Sequence, residues 1–131
     1  MKTKIIGILL LFLLLAGCKP KSDVNGLTDQ INNVINELDQ MAAGLNTAIK
    51  VNNMESVRDM VPKYAAKAEE FNQLTEKYMG MVKPDDAQAK PNLDLINRER
   101  ATLKSNINIL IDELKQHQDL VNDLKKVNLN Y

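Results

Sequence analysis

VNGLTDQINNVINELDQMAAGLNTAIK, residues 24–50, decides the fold of this chain, because its apolar side chains recur in one regular pattern. Successive members lie three or four residues apart, which is the spacing of one helix face in a bundle or coiled coil. Three further apolar residues widen this face, as a helix that packs against two neighbours requires. The stretch therefore predicts a helix of about 30 residues, ~45 Å long. The members of the pattern are Val24, Leu27, Ile31, Val34, Leu38, Met41, Leu45 and Ala48, widened by Ile35, Ala42 and Ile49.

The same spacing recurs in two later parts of the chain. A predicted reversal near residues 51–53 separates the first stripe from the second, and the stretch 80–92, with two prolines and a glycine, separates the second from the third. Pro62 falls inside the second stripe, so we expect either a kink there or a helix whose regular part begins near Val61. The second stripe comprises Val57, Val61, Tyr64, Ala68, Phe71, Thr75, Tyr78 and Val82; the third comprises Leu93, Ile96, Arg100, Leu103, Ile107, Leu110, Leu114, His117, Val121 and Leu124.

These three stripes predict an all-α domain over residues 23–131, arranged as an antiparallel three-helix bundle with coiled-coil-like seams. The composition agrees, since only three glycines follow residue 18 and the sequence lacks the β-branched alternation of a sheet protein. A homo-oligomeric coiled coil is the alternative architecture. The two breaks in the pattern count against one uninterrupted rod.

The first 18 residues differ in kind from the rest. Two lysines within the first four residues precede an apolar run from Ile5 to Leu15, and two small residues lead to Cys18, the only cysteine. This order is typical of a secretory signal peptide. A bilayer span needs ~20 apolar residues, so this run is too short to remain as a stable transmembrane helix. We therefore expect residues 1–17 to be a cleaved signal peptide.

The motif Leu15-Ala16-Gly17-Cys18 resembles the lipobox of bacterial lipoproteins. The resemblance implies that the Cys18 thiol carries a diacylglyceryl group, that a peptidase cleaves just before it, and that acyl chains hold the protein on a membrane. Residues 18–22 would then be a short tether to the helical domain. In lipoproteins of the enteric Gram-negative type, a non-acidic residue at the position of Lys19 favours the outer membrane, which implies its periplasmic face. An ordinary secretory peptide with a coincidental cysteine is the alternative.

The residue inventory argues against catalysis. After lipidation the chain retains one histidine and no free thiol, whereas a structural zinc site needs about four such ligands. The glycines are scattered singly, no serine lies in a nucleophile elbow, and the Asp85-Asp86 pair falls short of the 6–8 oxygen ligands of a tight calcium site. Without the signal peptide the chain has 15 basic and 17 acidic residues, which does not favour a nucleic-acid partner. We expect no enzyme activity, no cofactor and no metal.

Three aromatic residues, Tyr64, Phe71 and Tyr78, recur every seven residues and so lie on one face of the second helix. They either fill the core or line a partly exposed groove for a partner helix or an apolar ligand. Arg100 and His117 are the two charged or titratable members of the third stripe. We expect both at the bundle edge, with the stem of Arg100 extending towards solvent.

The function expected from these features is that of an envelope lipoprotein, anchored through Cys18, whose helical bundle binds another envelope protein. Structural, assembly, exclusion and adhesion roles all fit this description, because a fold class does not select among them. Self-association is compatible with the same seams. A carrier of an apolar ligand between the helices is the alternative.

Overall fold

The computed structural model describes residues 21–131, with side chains from Asp23 onward. The predicted signal peptide and the lipidation site at Cys18 lie outside these residues. The described part of the chain is built from helices joined by turns and contains no strand, so the all-α prediction is confirmed for it. The helices are α1 (Lys21–Lys50), α2 (Met54–Met81), α3 (Lys90–Glu113) and α4 (Gln118–Lys125).

A tight turn at residues 51–53 joins α1 to α2, where the sequence predicts a reversal. Asn52 has a φ of 55°, in the left-handed region that asparagine tolerates better than most residues. Asn53 then caps α2, because its side-chain oxygen accepts a hydrogen bond from the backbone N–H of Ser56 at 3.2 Å. Local side-chain chemistry therefore ends one helix and begins the next within three residues.

The two helices are antiparallel and approach each other closely. Glu37 Oε2 lies 2.6 Å from Lys67 Nζ, while Gly44, further along α1, faces Met60, which is earlier in α2. A Cβ atom on Gly44 would lie 2.7 Å from Cε of Met60. The missing side chain at Gly44 thus makes room for the methionine at this crossing.

The loop between α2 and α3 is built from hydrogen-bonded turns. The Asp86 carbonyl oxygen accepts hydrogen bonds from the backbone N–H groups of Ala89 and Lys90, both at 3.1 Å. Pro91 follows in the first turn of α3, where a missing N–H leaves no intrahelical bond unmade. At Pro62, by contrast, α2 continues without interruption from Met54, so its regular part does not begin near residue 61.

One core joins all the helices, and α2 contacts each of the other three. Most members of the three predicted seams are buried in it, as expected from their spacing. Its largest fully buried side chains are Tyr64, Tyr78, Phe71, Leu45, Ile96, Ile107, Leu114 and Leu124.

The sequence analysis predicts the wrong end for the third helix. The sequence pattern continues to Leu124, but α3 ends at Glu113 and the chain turns at residues 114–117 before α4. Arg58, early in α2, is hydrogen-bonded to Asp119, whereas Asn72, later in α2, donates to the carbonyl oxygen of Asn128 at 2.8 Å. The final segment therefore runs parallel to α2 and folds back along α3. This reversal buries Leu120, Val121, Leu124 and Val127 in the common core.

Candidate functional site

The aromatic stripe of α2 is part of the core. Tyr64, Phe71 and Tyr78 are all buried, as the core interpretation predicts, and a partner reaches their rings only if the helices separate. Burial raises the pKa of the Tyr64 hydroxyl to about 12, and the neighbouring Asn106 side chain opposes this shift only in part. The Tyr78 hydroxyl accepts a hydrogen bond from the Asn92 amide at 3.1 Å. The Tyr64 hydroxyl is thus a neutral group, and the Tyr78 hydroxyl is hydrogen-bonded within the fold.

A groove between α1 and α3 is open to solvent over part of its length. Near its open end it encloses about 170 Å³ and is lined by small residues of α1, Ala42 and Ala43, and by Ile109 of α3. Ile109 is 53% exposed, so it offers an apolar surface beside the core. We call this the α1–α3 groove; its other lining residues are Asn46, Asn106, Leu110 and Glu113.

The groove carries negative charge. Of the four acidic residues of α1, Asp39 lines the groove, whereas Glu37 pairs with Lys67 of α2. Burial, followed by the nearby Asp39 carboxylate, raises the pKa of the Glu99 carboxyl group, while Arg98 opposes the shift. Asp39 and Glu99 line the closed part of the groove, and Glu113 lines its open end. An apolar floor between carboxylates suits a positively charged, amphipathic partner.

Arg100 does not reach solvent as the sequence suggests, and only 8% of its surface is exposed. It donates from Nη2 to Thr75 Oγ1 at 3.3 Å and from Nη1 to Met79 Sδ at 3.6 Å. The ring of Tyr131 lies over the guanidinium at 4.6 Å. Its Nε has no hydrogen-bond partner, and no carboxylate of the described residues lies within 4.0 Å of its nitrogens.

An open pocket of about 220 Å³ adjoins this arginine. It is lined by Asn97, Arg100, Ala101 and Lys104 of α3 and by Tyr131. Burial raises the pKa of the Tyr131 hydroxyl, Arg100 opposes that shift, and the Glu69 carboxylate adds to it. Lys104 lies one helical turn after Arg100 and is exposed. Two cations therefore converge on one pocket that contains no lining carboxylate side chain. The sequence pattern places Arg100 on the seam but does not show that the tail returns to cover it.

His117 is the residue just before α4 and is half-buried, close to the bundle edge that the sequence predicts. Its Nδ1 lies 3.3 Å from Nη2 of Arg58, and the same guanidinium donates to the Asp119 carboxylate. Burial raises the pKa of Asp119, but the hydrogen bond and charge of Arg58 outweigh it, so the pKa is lowered overall. The three side chains connect α4 to the start of α2. These side chains bond to one another at a partly exposed position, which is typical of a structural contact.

We searched the described residues for a membrane-spanning helix and for a cluster of metal ligands. None of their helices combines the length and the apolar character that crossing a bilayer requires. From Asp23 to Tyr131, no three His, Cys, Asp or Glu side chains come together as metal ligands. Comparison with protein families, with curated proteins and with solved structures gave no match to this chain. Its function is therefore inferred from its own residues.

Proposed function

We propose that this chain is a bacterial envelope lipoprotein without enzyme activity. Acyl chains on Cys18 anchor it to a membrane, and its helical domain binds another envelope protein. The observation that carries the proposal is the motif Leu15-Ala16-Gly17-Cys18 directly after an apolar run. Two or three acyl chains give far more durable attachment than the marginal binding of one chain. In a Gram-negative cell, Lys19 favours the periplasmic face of the outer membrane.

The finer architecture of this domain is an antiparallel three-helix bundle, to which α4 and the tail add a short fourth segment. The reversal between α1 and α2 and the contacts of α2 with α3 support this description. Since α1 then starts beside the anchor, the groove at Ala42 lies ~30 Å along α1 from its first residues. The groove therefore lies in the half of α1 that is farther from the anchor.

The partner that fits the α1–α3 groove is an amphipathic helix with basic flanks. Its apolar face would cover Ile109 against the two alanines, which permit close approach of helices. Its basic side chains would offset the charges of Asp39, Glu99 and Glu113. Helix-in-groove binding commonly depends on a few such apolar anchors, with charge setting the choice of partner.

An apolar-ligand carrier is less favoured by the packing. The closed part of the groove, where α1, α2 and α3 converge around Tyr64 and Phe71, contains only about 10 Å³ of free space. A cavity of this size holds about one water molecule at most, so an apolar ligand would have to displace core side chains there.

The anchor is tested by Cys18→Ser. We expect this variant to lose labelled fatty acid and either to leave the membrane fraction or to accumulate as uncleaved precursor. A signal-peptide-free Cys18→Ser protein that still sediments with membranes as the wild type does would refute lipid anchoring.

The groove is tested with two matched pairs of variants. Capture of a membrane protein should be lost with Ile109→Ser but kept with Val51→Ser, because Val51 is also exposed but lies outside the groove. Asp39→Lys should likewise weaken capture, whereas Asp29→Lys on the same helix should not. Equal effects within each pair would show that binding, if any, takes place elsewhere on the surface.

A further inference from the structure

We propose that Arg100 and Lys104 form a binding site for a phosphate group, with the Tyr131 ring covering one side of it. The site lies in the pocket beside α3 and is separate from the α1–α3 groove. It does not depend on the lipid anchor or on a partner protein.

The first observation behind the site is an unbalanced buried charge. Arg100 is more than nine-tenths buried, yet its partners are a hydroxyl, a thioether and a ring face, all of them neutral. Buried guanidinium groups normally pair with a carboxylate or phosphate that accepts two hydrogen bonds at once. The Nε of Arg100 is also buried without a hydrogen-bond partner, so the protein alone does not satisfy this guanidinium.

The second observation is the pocket itself. Its volume of about 220 Å³ is many times the space that a single water molecule needs, which is room for a tetrahedral oxyanion and its remaining hydration. Arg100 supplies a fixed planar donor on the inner side, and Lys104 supplies a flexible ammonium group at the rim. The Asn97 amide on the same wall offers a further hydrogen-bond donor.

The number of charges selects phosphate over a single carboxylate. Two cations facing one pocket match a group that carries more than one negative charge near neutral pH, whereas a carboxylate balances only one of them. The phosphate could belong to a free ion or to a lipid whose head group is a phosphate monoester, because a phosphodiester head group carries only one negative charge. Both present the same oxygens to Arg100, so the two sources are distinguished by experiment.

Titration of inorganic phosphate into the full chain, purified from membranes in a non-ionic detergent, tests the site at constant ionic strength. The chain has three arginines, Arg58, Arg98 and Arg100, so their side-chain Nε–H resonances are readily resolved by NMR. We expect a saturable shift of the Arg100 resonance, with those of Arg58 and Arg98 unchanged. Acetate should produce a weaker effect by about tenfold.

Substitutions locate the site. Lys104→Gln should weaken phosphate binding by about tenfold without loss of folding, because Lys104 is exposed. Arg98→Gln, which removes the same charge from an exposed position of α3, should leave binding within about twofold. Phosphate should also raise the melting temperature of the wild type but not that of Arg100→Met. This last measurement needs no resolved arginine resonance.

Bilayer discs separate the two sources of phosphate. If discs containing phosphatidic acid, a phosphate monoester, shift the Arg100 resonance and phosphatidylcholine discs do not, the occupant is a lipid head group. A shift by inorganic phosphate alone assigns a free phosphate group. The proposal is overturned if neither probe shifts the resonance, if acetate binds as tightly as phosphate, or if Arg98→Gln weakens binding as much as Lys104→Gln.

Discussion

Replacing Arg100 by methionine should stabilise the fold. The free energy of taking a guanidinium out of water is several kcal/mol, even after relaxation of the surroundings. Against this, a hydrogen bond from a charged donor to Thr75 contributes about 1.5–3 kcal/mol, and the Tyr131 ring about 0.5–2 kcal/mol. The bond to Thr75 is long, at 3.3 Å, and Nε has no partner. We therefore place the stabilisation from these contacts at the low end of both ranges. Because desolvation outweighs these contacts, we expect the buried Arg100 side chain to destabilise the fold.

Methionine keeps an unbranched stem of similar length and leaves no polar atom behind. The Thr75 hydroxyl stays satisfied, because it donates to the Asn72 carbonyl oxygen at 3.0 Å. We therefore expect Arg100→Met to raise the free energy of unfolding by about 1–2 kcal/mol and the melting temperature by about 4–8 °C. Arg98→Met, at a side chain that is 72% exposed, should change stability by less than ~0.5 kcal/mol.

Urea unfolding followed by circular dichroism measures both variants, in a buffer free of phosphate so that no bound anion compensates the arginine. The slope of the unfolding free energy against urea concentration should be unchanged. An unchanged slope would show that the variant alters stability and not the compactness of the unfolded state. If Arg100→Met instead lowers the free energy of unfolding by more than ~1 kcal/mol, the neutral partners outweigh the desolvation of the guanidinium. The account of Arg100 as an unbalanced charge would then be refuted.

Three further predictions concern the core, the buried tyrosine and the anchor. Leu110→Asp should lower the free energy of unfolding by several kcal/mol because Leu110 is only 6% exposed, whereas Ile109→Asp beside it should lower it by less than ~1 kcal/mol. Equal melting temperatures of the two variants would contradict the placement of Leu110 on the third seam. Burial raises the pKa of Tyr64 to about 12, so the stability from its neutral hydroxyl is complete below pH 10 and is lost as pH rises from 10 to 12. In Tyr64→Phe, the free energy of unfolding measured in urea should therefore depend less on pH across that range. In a Gram-negative host, Lys19→Asp should retain the protein in the inner membrane, and membrane fractionation that finds both forms together would contradict sorting by this residue.

The hydrophobic spacing predicts the long helices well because burial follows it directly. In α1, for example, Leu27, Ile31, Val34 and Leu38 recur at helical spacing and are all buried. The reversal at residues 51–53 was also predictable, since adjacent asparagines both tolerate a left-handed conformation and cap helices. Local chemistry and tertiary packing favour the same structure in this half of the domain.

The reversal before α4 could not be predicted from the stripe alone. No glycine or proline marks residues 114–117, and the heptad spacing continues across them through Val121 to Leu124. The available signal was apolar residues that the stripe leaves unused, namely Leu120, Val127 and Leu129. Packing these side chains against α2 outweighs the hydrogen bonds that a continuous helix would keep at the turn. Tertiary burial decides this boundary.

The burial of Arg100 depends on the same reversal. A helix that continued straight past residue 113 would leave Arg100 without the cover of Tyr131, and its stem could then extend to solvent as the sequence alone suggests. The pocket beside Arg100 likewise requires Tyr131 as one of its walls. A sequence pattern read helix by helix therefore cannot locate this site, although each of its residues is visible in the sequence.

The two proposed sites lie on opposite sides of α3. Ile109 follows Arg100 by nine residues, and at ~100° per residue nine residues turn half a circle beyond two complete turns. The lining residues agree, since the pocket of Arg100 contains Asn97 and Lys104, whereas the groove of Ile109 lies against α1. Residues with separate partners on opposite helix faces affect stability and binding nearly independently. A variant that loses its protein partner through Ile109→Ser should therefore still bind phosphate, and one that loses phosphate through Lys104→Gln should still bind the partner.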